Sequence, residues 1–316
     1  MLHAVMLDAK SMGPQIDVSV IQDAVSQLDV HDQSSTQEAL ERLADADIAL
    51  VNKVVLDGET LKQLPRLRLI CVMATGLNNI DLDAAKALGI VVKNVNAYGT
   101  ASVSQHTLML ILTLANRLPL YQREVASGAW QRSEFFCLQD HPTLQLAGKH
   151  LVMVGQGELG SEVARLADAF GMRVTFAARP GNEANDTRPS LDSLMPEADI
   201  ISLHCPLNAD TKHLINQERL AAAKSSLLVI NCARGGIIDE EAALDALRQG
   251  SIGGLAVDVL PTEPPRDGHP LLDALSEPLN LIVTPHNAWI TPEARQNIIR
   301  LTADNIAQWK DASSPA

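Results

Sequence analysis

Hydrophobic and polar positions divide this chain into two kinds of segment that alternate. Short runs of aliphatic and β-branched residues, such as residues 47–51 and 68–72, are separated by longer stretches in which apolar residues recur at helical spacing. Such alternation is typical of parallel sheets whose strands are joined by crossover helices. It occurs in two successive series, so we predict an α/β protein with two domains.

The first series predicts a small, flavodoxin-like α/β unit. Its predicted strands are residues 2–7, 47–51, 68–72 and 90–93. Its predicted helices are residues 18–27, 36–45, 57–64 and 81–88. A long helical stretch, from Thr100 to about Ser127, follows this unit.

The second series predicts a doubly wound parallel sheet. Its predicted strands are residues 150–154, 173–177, 199–203, 227–231, 254–257 and 281–284. We assign the last amphipathic helix, Pro292 to Trp309, to the first unit, so that the chain crosses between the domains twice. The predicted domains are therefore residues 1–99 with 288–316, and residues 100–287.

Composition limits the classes of partner. With 316 residues, of which 46% are hydrophobic, the chain is able to bury the cores of about two domains. The 38 acidic and 25 basic residues give a formal net charge of −13, which repels nucleic acid phosphates and anionic lipids. We therefore expect a small-molecule ligand, with neither nucleic acid nor membrane as a partner.

The cysteines and the N-terminus favour a reducing compartment. Cys71, Cys137, Cys205 and Cys232 are far apart and show no metal-ligand spacing, so we expect reduced thiols and no metal. The N-terminal apolar run has no basic residues before it and ends at Asp8, unlike a signal peptide. We expect a cytoplasmic protein.

A glycine-rich turn carries the strongest chemical signal. The predicted strand 150–154 runs directly into Gly155-Gln156-Gly157-Glu158-Leu159-Gly160, and a helix and a second strand follow. In a Rossmann-type βαβ unit, the first glycine allows a tight turn, the second lets the backbone approach a pyrophosphate, and the third permits close packing of the helix. Free N–H groups at the helix N-terminus bind the anion. The turn predicts a dinucleotide site, and the alternative is a tight turn without a ligand.

Residues after the second strand of this unit bear on the choice of dinucleotide. An acidic residue there binds the ribose 2′-hydroxyl of NAD. Here the sequence is Ala177-Ala178-Arg179-Pro180, so alanine replaces the carboxylate and a guanidinium follows. Because an arginine accommodates a 2′-phosphate, we predict NAD(P)(H) with a preference for NADP(H). Alternatively, Arg179 stacks on adenine or faces solvent, and the cofactor is NAD(H).

Polar loops follow the other strands of the second series, where ligands bind in open parallel sheets. Those loops contain His204-Cys205-Pro206, Cys232-Ala233-Arg234-Gly235-Gly236, Asp258 with Glu263, and Pro285-His286. Arg234 lies between a small residue and two glycines, which suits a bidentate grip on a carboxylate.

Three of these side chains together suit the reduction of a 2-keto acid. A glutamate bonded to one imidazole nitrogen favours the protonated histidine, which gives a proton to a carbonyl oxygen as hydride arrives at carbon. Arg234 supplies a cation for the carboxylate, while Glu263 and His286 supply the acid. Each also has an ordinary structural alternative, as a loop-anchoring arginine, a solvated turn carboxylate and a core histidine. Their place at one predicted sheet edge favours the chemical role.

Distinctive motifs are spread along nearly the whole chain. They are Ala74 to Asp81, Val103 to His106, the glycine turn, Cys205-Pro206-Leu207, Asn231 to Gly236, Val257-Asp258-Val259 with Glu263-Pro264, and Pro285 to Trp289. With them the chain resembles the D-isomer-specific 2-hydroxyacid dehydrogenases, which implies an NAD(P)-dependent oxidoreductase of CH–OH groups. Asn52-Lys53 and Trp289 look most like glycerate dehydrogenases, also called hydroxypyruvate reductases. That likeness implies reduction of hydroxypyruvate or glyoxylate to D-glycerate or glycolate.

The resemblance also implies roles for individual residues and for each domain. Arg234, Glu263 and His286 would be catalytic, and the substrate would contact Lys53, Thr75, Gly76, Arg234 and His286. A solvated Lys53 is the alternative. The cofactor would contact Val103, Gly155, Gly157, Glu158, Leu159, Gly160, Arg179, Cys205, Pro206, Thr211, Cys232, Ala233, Arg234, Asp258 and His286. The first domain would bind substrate and the second the dinucleotide.

Other activities fit the motifs less well. A corepressor that senses dinucleotides on the same fold has no need of the set Arg234, Glu263 and His286. Phosphoglycerate dehydrogenation needs more cations, for which Lys53 is the clear candidate. Formate oxidation has no keto oxygen to protonate.

Members of the resembled family are commonly homodimers joined through the cofactor domain. Here the apolar stretch from Thr100 and the aromatic loop Trp130 to Phe136 are the predicted interface.

Overall fold

The structure is a computed structural model, and it describes residues 1–313. The chain forms two compact units, Met1–Gly99 with Trp289–Ala316 and Thr100–Ala288. Ala288 thus ends the second unit, one residue beyond the predicted boundary. Residues 314–316 of the predicted first domain lie outside the described part of the chain.

Five parallel strands form the sheet of the first unit. They are β1 (His3–Met6), β2 (Gln27–Val30), β3 (Ile48–Val51), β4 (Leu69–Val72) and β5 (Val91–Asn94). The helices between them are α1 (Ser19–Ala24), α2 (Thr36–Leu43), α3 (Gly58–Lys62) and α4 (Leu82–Ala87). The strand order β2-β1-β3-β4-β5 is that of flavodoxin-like folds. Strands β3 and β4 are buried throughout, as continuous apolar runs require.

Side-chain caps mark where the helices of this unit begin. Ser35 and Glu38 form a reciprocal capping box at the start of α2. Asp57 and Asp81 accept backbone N–H groups at the starts of α3 and α4. Each cap satisfies donors that have no partner within the helix.

Six parallel strands form the sheet of the second unit. They are β6 (His150–Val154), β7 (Arg173–Phe176), β8 (Ile200–Leu203), β9 (Leu228–Asn231), β10 (Gly254–Val257) and β11 (Leu281–Val283). The helices of this unit are α5 (Thr100–Ala115), α6 (Leu118–Ala126), α7 (Glu158–Ala169), α8 (Leu191–Leu194), α9 (Gln217–Ala221), α10 (Glu240–Arg248) and α11 (Pro270–Asp273).

The order of the second sheet, β11-β10-β9-β8-β6-β7, reverses direction beside β6. Strand β7 lies on one side of β6 and β8 on the other. Such a reversal opens a crevice at the carboxyl ends of the two central strands, where doubly wound folds bind ligands. The predicted fold class, with a doubly wound sheet and a smaller flavodoxin-like unit, is confirmed.

The last helix, α12 (Pro292–Ser313), belongs to the first unit. Ile298, Ile299 and Ile306 are fully buried in the same cluster as residues of β1, β3 and β4. Within residues 1–313, no helix has both the length and the apolar character needed to cross a bilayer.

The predicted helix 18–27 is too long, since α1 ends at Ala24 and a strand, β2, begins at Gln27. Strand β2 lies at the edge of the sheet and pairs only with β1, with Gln27 opposite His3. Its residues are exposed or half-buried. A strand that buries so little shows weak hydrophobic periodicity, so the pairing with β1 decides its structure.

The single helix predicted for residues 100–127 is two helices, α5 and α6. Arg117 between them has a left-handed φ of 53°. Its guanidinium holds the break by donating to the carbonyl oxygens of Pro142 and Gly253. Pro119 fits the first turn of α6, where a backbone N–H has no helical partner.

Candidate active site

Chemically distinctive loops lie in a row along one edge of the second sheet. The glycine turn follows β6, Cys205 follows β8, Arg234 follows β9, Glu263 follows β10 and His286 follows β11. Neighbouring strands are parallel, so their carboxyl ends share one edge. The fold therefore gathers the predicted residues of this unit at that edge.

The glycine turn packs directly against the end of β8. Gly155 has a φ of +105°, and a Cβ there would lie 2.4 Å from the carbonyl oxygen of His204. A Cβ on Gly160 would lie 2.1 Å from the carbonyl oxygen of Gly155, so α7 begins in contact with the turn. The loop after β8 is held by Thr211, whose hydroxyl donates to the carbonyl oxygen of Pro206 at 2.7 Å. Neither glycine accepts a side chain unless the backbone moves.

The second glycine of the turn, by contrast, faces open space. Gly157 is the N-cap of α7, and a Cβ built on it meets nothing within 4 Å. The first N–H groups of α7 have no partners within the helix. Open space beside free N–H groups fits the pyrophosphate of a dinucleotide. Nearby, Glu158 accepts a hydrogen bond from the Thr100 hydroxyl, and Leu159 is half-buried.

Two cysteines lie in the loops after β8 and β9. Burial raises the pKa of the Cys205 thiol to about 11 and the pKa of the Cys232 thiol to about 12. The side chain of Thr107 forms a hydrogen bond with Cys232. The hydroxyl of Thr107 also donates to the carbonyl oxygen of Val103, one turn earlier in α5. Because only a thiolate is a good nucleophile, these cysteines act as small packing groups at neutral pH.

The side chain of Asn231 holds the Arg234 loop. Asn231 is fully buried, its Oδ1 accepts the N–H of Ala233 at 3.0 Å, and its Nδ2 donates to the carbonyl oxygen of Arg234 at 2.8 Å. A Cβ on Gly235 would lie 2.0 Å from the carbonyl carbon of Leu260. The Arg234 loop therefore touches the backbone of the loop after β10, while Arg234 itself is exposed.

His286 and Glu263 form a hydrogen-bonded pair. The imidazole Nδ1 lies 2.5 Å from Glu263 Oε2, and Glu263 Oε1 accepts the N–H of Leu260 at 2.8 Å. The two side chains are 37% and 32% exposed, so a ligand is able to reach them. Among residues 1–313, no hydrogen bond is made to the imidazole Nε2.

A buried carboxylate holds the backbone around His286. Asp258 is 1% exposed, and its oxygens accept the N–H groups of the two residues after His286, each at 3.0 Å, and the Thr284 hydroxyl at 2.6 Å. His106 Nε2 lies 3.5 Å from Asp258, and burial lowers the pKa of His106 against the opposing effect of that carboxylate. Asp258, predicted as a cofactor contact, thus positions the His286 loop.

A carboxylate that sequence reasoning missed lies at the end of β7. Ala178 replaces the expected acid, but Asp186 from the following loop accepts the N–H of Arg179 at 2.8 Å. Arg188 lies 2.5 Å from Asp186 and donates to the side-chain oxygen of Gln156 at 3.0 Å. No local pattern points to these residues, because only the return of the loop to β7 brings them there.

Lys53, Thr75 and Gly76 lie in the first unit, after the neighbouring strands β3 and β4. The N–H of Lys53 donates at 2.6 Å to Asp8, a buried carboxylate, while Lys53 and Thr75 are exposed. The Thr75 hydroxyl donates to the carbonyl oxygen of Val95 at 3.2 Å. Within this unit, the three predicted substrate contacts share one edge of the sheet.

Comparison with known sequences identifies the family. Residues 108–288 match the family described as D-isomer specific 2-hydroxyacid dehydrogenase, NAD binding domain. The chain belongs to this family. The resemblance inferred from the motifs is therefore confirmed, and the chain is an NAD(P)-dependent oxidoreductase that acts on CH–OH groups.

Two relatives of this dehydrogenase match it over most of their length. It is 43% identical over 271 residues to the glycerate dehydrogenase of Methylorubrum extorquens, and this alignment covers 85% of this chain and 84% of the relative. It is 33% identical over 320 residues to the hydroxypyruvate reductase of Blautia hydrogenotrophica, and this alignment covers 99% of this chain and 98% of the relative. The solved structure of D-2-hydroxyisocaproate dehydrogenase matches 100% of this chain and 98% of its own, with a TM-score of 0.85 at 22% identity, and so shares the fold.

Proposed function

We propose that this dehydrogenase interconverts hydroxypyruvate and D-glycerate, or glyoxylate and glycolate, with the second unit binding the dinucleotide and the first binding the substrate. The observation that carries the proposal is the His286–Glu263 pair, 2.5 Å apart at the sheet edge that also holds the glycine turn. The names of the two relatives, glycerate dehydrogenase and hydroxypyruvate reductase, support the substrate class.

Each side chain of the pair has a distinct task in this proposal. When bound, NAD(P)H supplies the hydride. Glu263 accepts a hydrogen bond from the Nδ1–H of His286, which orients the ring, and Nε2 of the protonated imidazole holds the proton that passes to the keto oxygen. Arg234, exposed on the neighbouring loop, binds the carboxylate of the substrate. In the reverse direction, neutral His286 takes the proton from the hydroxyl group.

Asp258 keeps the proton donor in position. His286 has a left-handed φ of 52°, which costs on the order of 1 kcal/mol for a residue with a side chain. The N–H groups of the next two residues donate to Asp258 and offset this cost. The imidazole is therefore held in place before the substrate arrives.

The role of His286 is tested by His286→Asn, because asparagine tolerates a left-handed φ better than alanine. We expect turnover to fall by about 10²–10⁴-fold, the usual contribution of a general acid, while cofactor affinity changes less than about twofold. His213→Asn is the matched control, since His213 has a φ of 49° and is not among the proposed substrate or cofactor contacts. A parallel loss of cofactor binding in His286→Asn would show that His286 is structural.

Substrate and cofactor are tested by one panel of assays. Hydroxypyruvate, glyoxylate, pyruvate and phosphohydroxypyruvate are each incubated with NADH and with NADPH, and the absorbance of the reduced nicotinamide is followed. We expect the highest kcat/KM with hydroxypyruvate or glyoxylate. Oxidation of neither cofactor by any of the acids would contradict the proposal and favour a dinucleotide sensor.

We also propose a preference for NADP(H) over NAD(H). Arg179, the third residue after β7, is exposed, and among residues 1–313 its guanidinium makes no hydrogen bond or ion pair. Such a group is available to a 2′-phosphate. A kcat/KM that is higher with NADH than with NADPH would contradict this preference.

Lys53, Thr75 and Gly76 remain proposed substrate contacts. Their place at one sheet edge of the first unit, where Lys53 and Thr75 are exposed, supports the proposal. Lys53→Gln is expected to raise the KM for the keto acid and to leave cofactor affinity unchanged. An unchanged KM would make Lys53 a solvated surface residue.

A homodimer joined through the second unit is proposed as well. Phe135 and Phe136 are 74% and 89% exposed, and Phe136 and Trp130 line a surface cavity of about 570 Å³. Exposed aromatic groups that cluster in this way favour a protein partner. The cytoplasmic location and the absence of nucleic acid partners stay predictions from the sequence.

A further inference from the structure

The loop that follows β7, residues 179–188, returns to the point where it started. The N–H of Ala178 donates to the carbonyl oxygen of Pro189 at 2.8 Å, which closes the base of the loop. A Cβ on Gly181 would lie 2.4 Å from the carboxylate carbon of Asp210, so the loop also packs closely against the segment after β8. The closure brings the far end of the loop beside Arg179.

Asp186 is fully engaged at this closure. Its Oδ1 accepts the N–H of Arg188 at 3.0 Å and Arg188 Nε at 2.9 Å. Its Oδ2 accepts the N–H of Arg179 at 2.8 Å and Arg188 Nη2 at 2.5 Å. The Arg188 hydrogen bonds hold the pKa of Asp186 well below its usual range, so the carboxylate is ionised and paired.

Arg188 also reaches the glycine turn. Its Nη1 donates to the side-chain oxygen of Gln156 at 3.0 Å, and Gln156 lies between the first two glycines of the turn. A guanidinium carries five N–H donors, so Nη1 and Nη2 each keep one donor beyond the bonds described. The side chain is 29% exposed, while Asp186 is 11% exposed. The guanidinium therefore spans the gap between the glycine turn and the end of β7.

Two arginines and two acidic residues lie in this loop, so its formal charges cancel, and an anion is favoured only where a guanidinium keeps donors that are not engaged. Arg179 and Arg188 contribute two positive charges, and Asp186 contributes one negative charge that Arg188 neutralises. Glu183, the other acid of the loop, accepts the N–H of Gly181 at 3.2 Å. An unpaired carboxylate beside Arg179 would instead accept a hydrogen bond from a ribose 2′-hydroxyl and repel a phosphate.

We propose that Arg188 is a specificity-determining residue that acts in two ways at the 2′-position of the bound dinucleotide. It supplies, with Arg179, a second guanidinium for the 2′-phosphate of NADP(H), and it neutralises Asp186, the carboxylate that would otherwise select NAD(H). The inference rests on the proposed use of NADP(H). The alternative is that the pair of Asp186 and Arg188 only shapes the loop.

Binding of NADP⁺ and NAD⁺ to the full chain separates these alternatives, because the two ligands differ only in the 2′-phosphate. Isothermal titration measures both affinities for the wild type, Arg188→Gln and the double variant Asp186→Asn with Arg188→Gln. Arg173→Gln is the matched control, since Arg173 lies at the opposite end of β7 and is 60% exposed. Thermal unfolding of each variant reports whether the loop still folds.

We expect Arg188→Gln to lower the affinity for NADP⁺ by about tenfold or more, because a charged hydrogen bond to the 2′-phosphate is lost. The affinity for NAD⁺ should stay the same or rise. In the double variant, the repulsion by Asp186 is gone, so part of the affinity for NADP⁺ returns and any gain for NAD⁺ disappears. Arg173→Gln should bind both ligands as the wild type does.

Two results would overturn the inference. Equal losses for NADP⁺ and NAD⁺ in Arg188→Gln would make the pair a structural element of the loop, and unchanged affinities for both ligands would remove Arg188 from the site. Keto-acid turnover is measured separately. If no keto acid is turned over but Arg188→Gln changes the ratio of the NADP⁺ and NAD⁺ affinities, the proposed activity alone is refuted. If turnover is normal but Arg188→Gln leaves this ratio unchanged, this inference alone is refuted.

Discussion

Gly157→Ala should separate the cofactor site from the stability of the fold. The added Cβ meets nothing within 4 Å, and the backbone at Gly157, with φ −76° and ψ −171°, is open to alanine. Replacing glycine restricts the unfolded chain and stabilises the fold by about 0.4–1 kcal/mol. Alanine is also the poorer N-cap, which costs on the order of 0.5–1 kcal/mol. These contributions nearly cancel, so the free energy of unfolding should change by less than about 0.5 kcal/mol.

The same methyl group should weaken cofactor binding strongly. It occupies the space through which a pyrophosphate approaches the first N–H groups of α7. Hydrogen bonds to a charged group contribute about 1.5–3 kcal/mol each. Losing one of them lowers the affinity for NADPH by about tenfold or more.

Gly160→Ala is the contrasting variant, and both are measured by urea unfolding and by titration of NADPH fluorescence. A Cβ on Gly160 lies 2.1 Å from the carbonyl oxygen of Gly155, so the backbone must move, at a cost of about 1–3 kcal/mol. If Gly157→Ala binds NADPH as tightly as the wild type, the pyrophosphate does not lie at this turn. If both variants lose the same stability, the geometric reasoning is wrong.

Three further outcomes follow from the site. Burial lowers the pKa of His204 from 6.5 to about 4, so the unfolded chain takes up this proton first as the pH falls. The contribution of His204 to the free energy of unfolding is constant above pH 6.5 and drops by up to about 3 kcal/mol as the pH falls to 4. Urea unfolding of the apoprotein at several pH values measures this drop. His204→Gln should flatten this dependence, and an equally steep curve would contradict the assignment. Asp258→Asn places an N–H donor against a backbone N–H, so the free energy of unfolding should fall by about 1–3 kcal/mol and kcat should decrease. A wild-type kcat would show that the His286 loop does not depend on Asp258. Phe136→Glu should give a monomeric mass in light scattering at micromolar concentration, and a dimeric mass would exclude Phe136 from the interface.

Much of the fold follows from local pattern. Buried strands such as β3 and β4 are continuous apolar runs, and their type is evident without a structure. The glycine turn is equally evident, because the close approach of His204 and Gly155 requires residues without a Cβ. The edge strand β2 shows no such pattern, since its structure depends on pairing with β1.

Residue types at the candidate site were also predictable, whereas their partners were not. The sequence places Arg234, Glu263 and His286 after successive apolar strands, and parallel strands must bring them to one edge. The sequence does not reveal that Asp258 holds the His286 loop, because the hydrogen bond from Ala288 to Asp258 joins loops that follow separate strands.

The sequence by itself determined two α/β series, the glycine turn and the identities of the polar residues at the sheet edge. The break at Arg117, the pairing of β2 and the approach of Asp186 to Arg179 were decided only by the tertiary structure. The physical reason is the same in each case. Local periodicity records which side chains are buried, but a hydrogen bond between distant residues depends on where the chain returns.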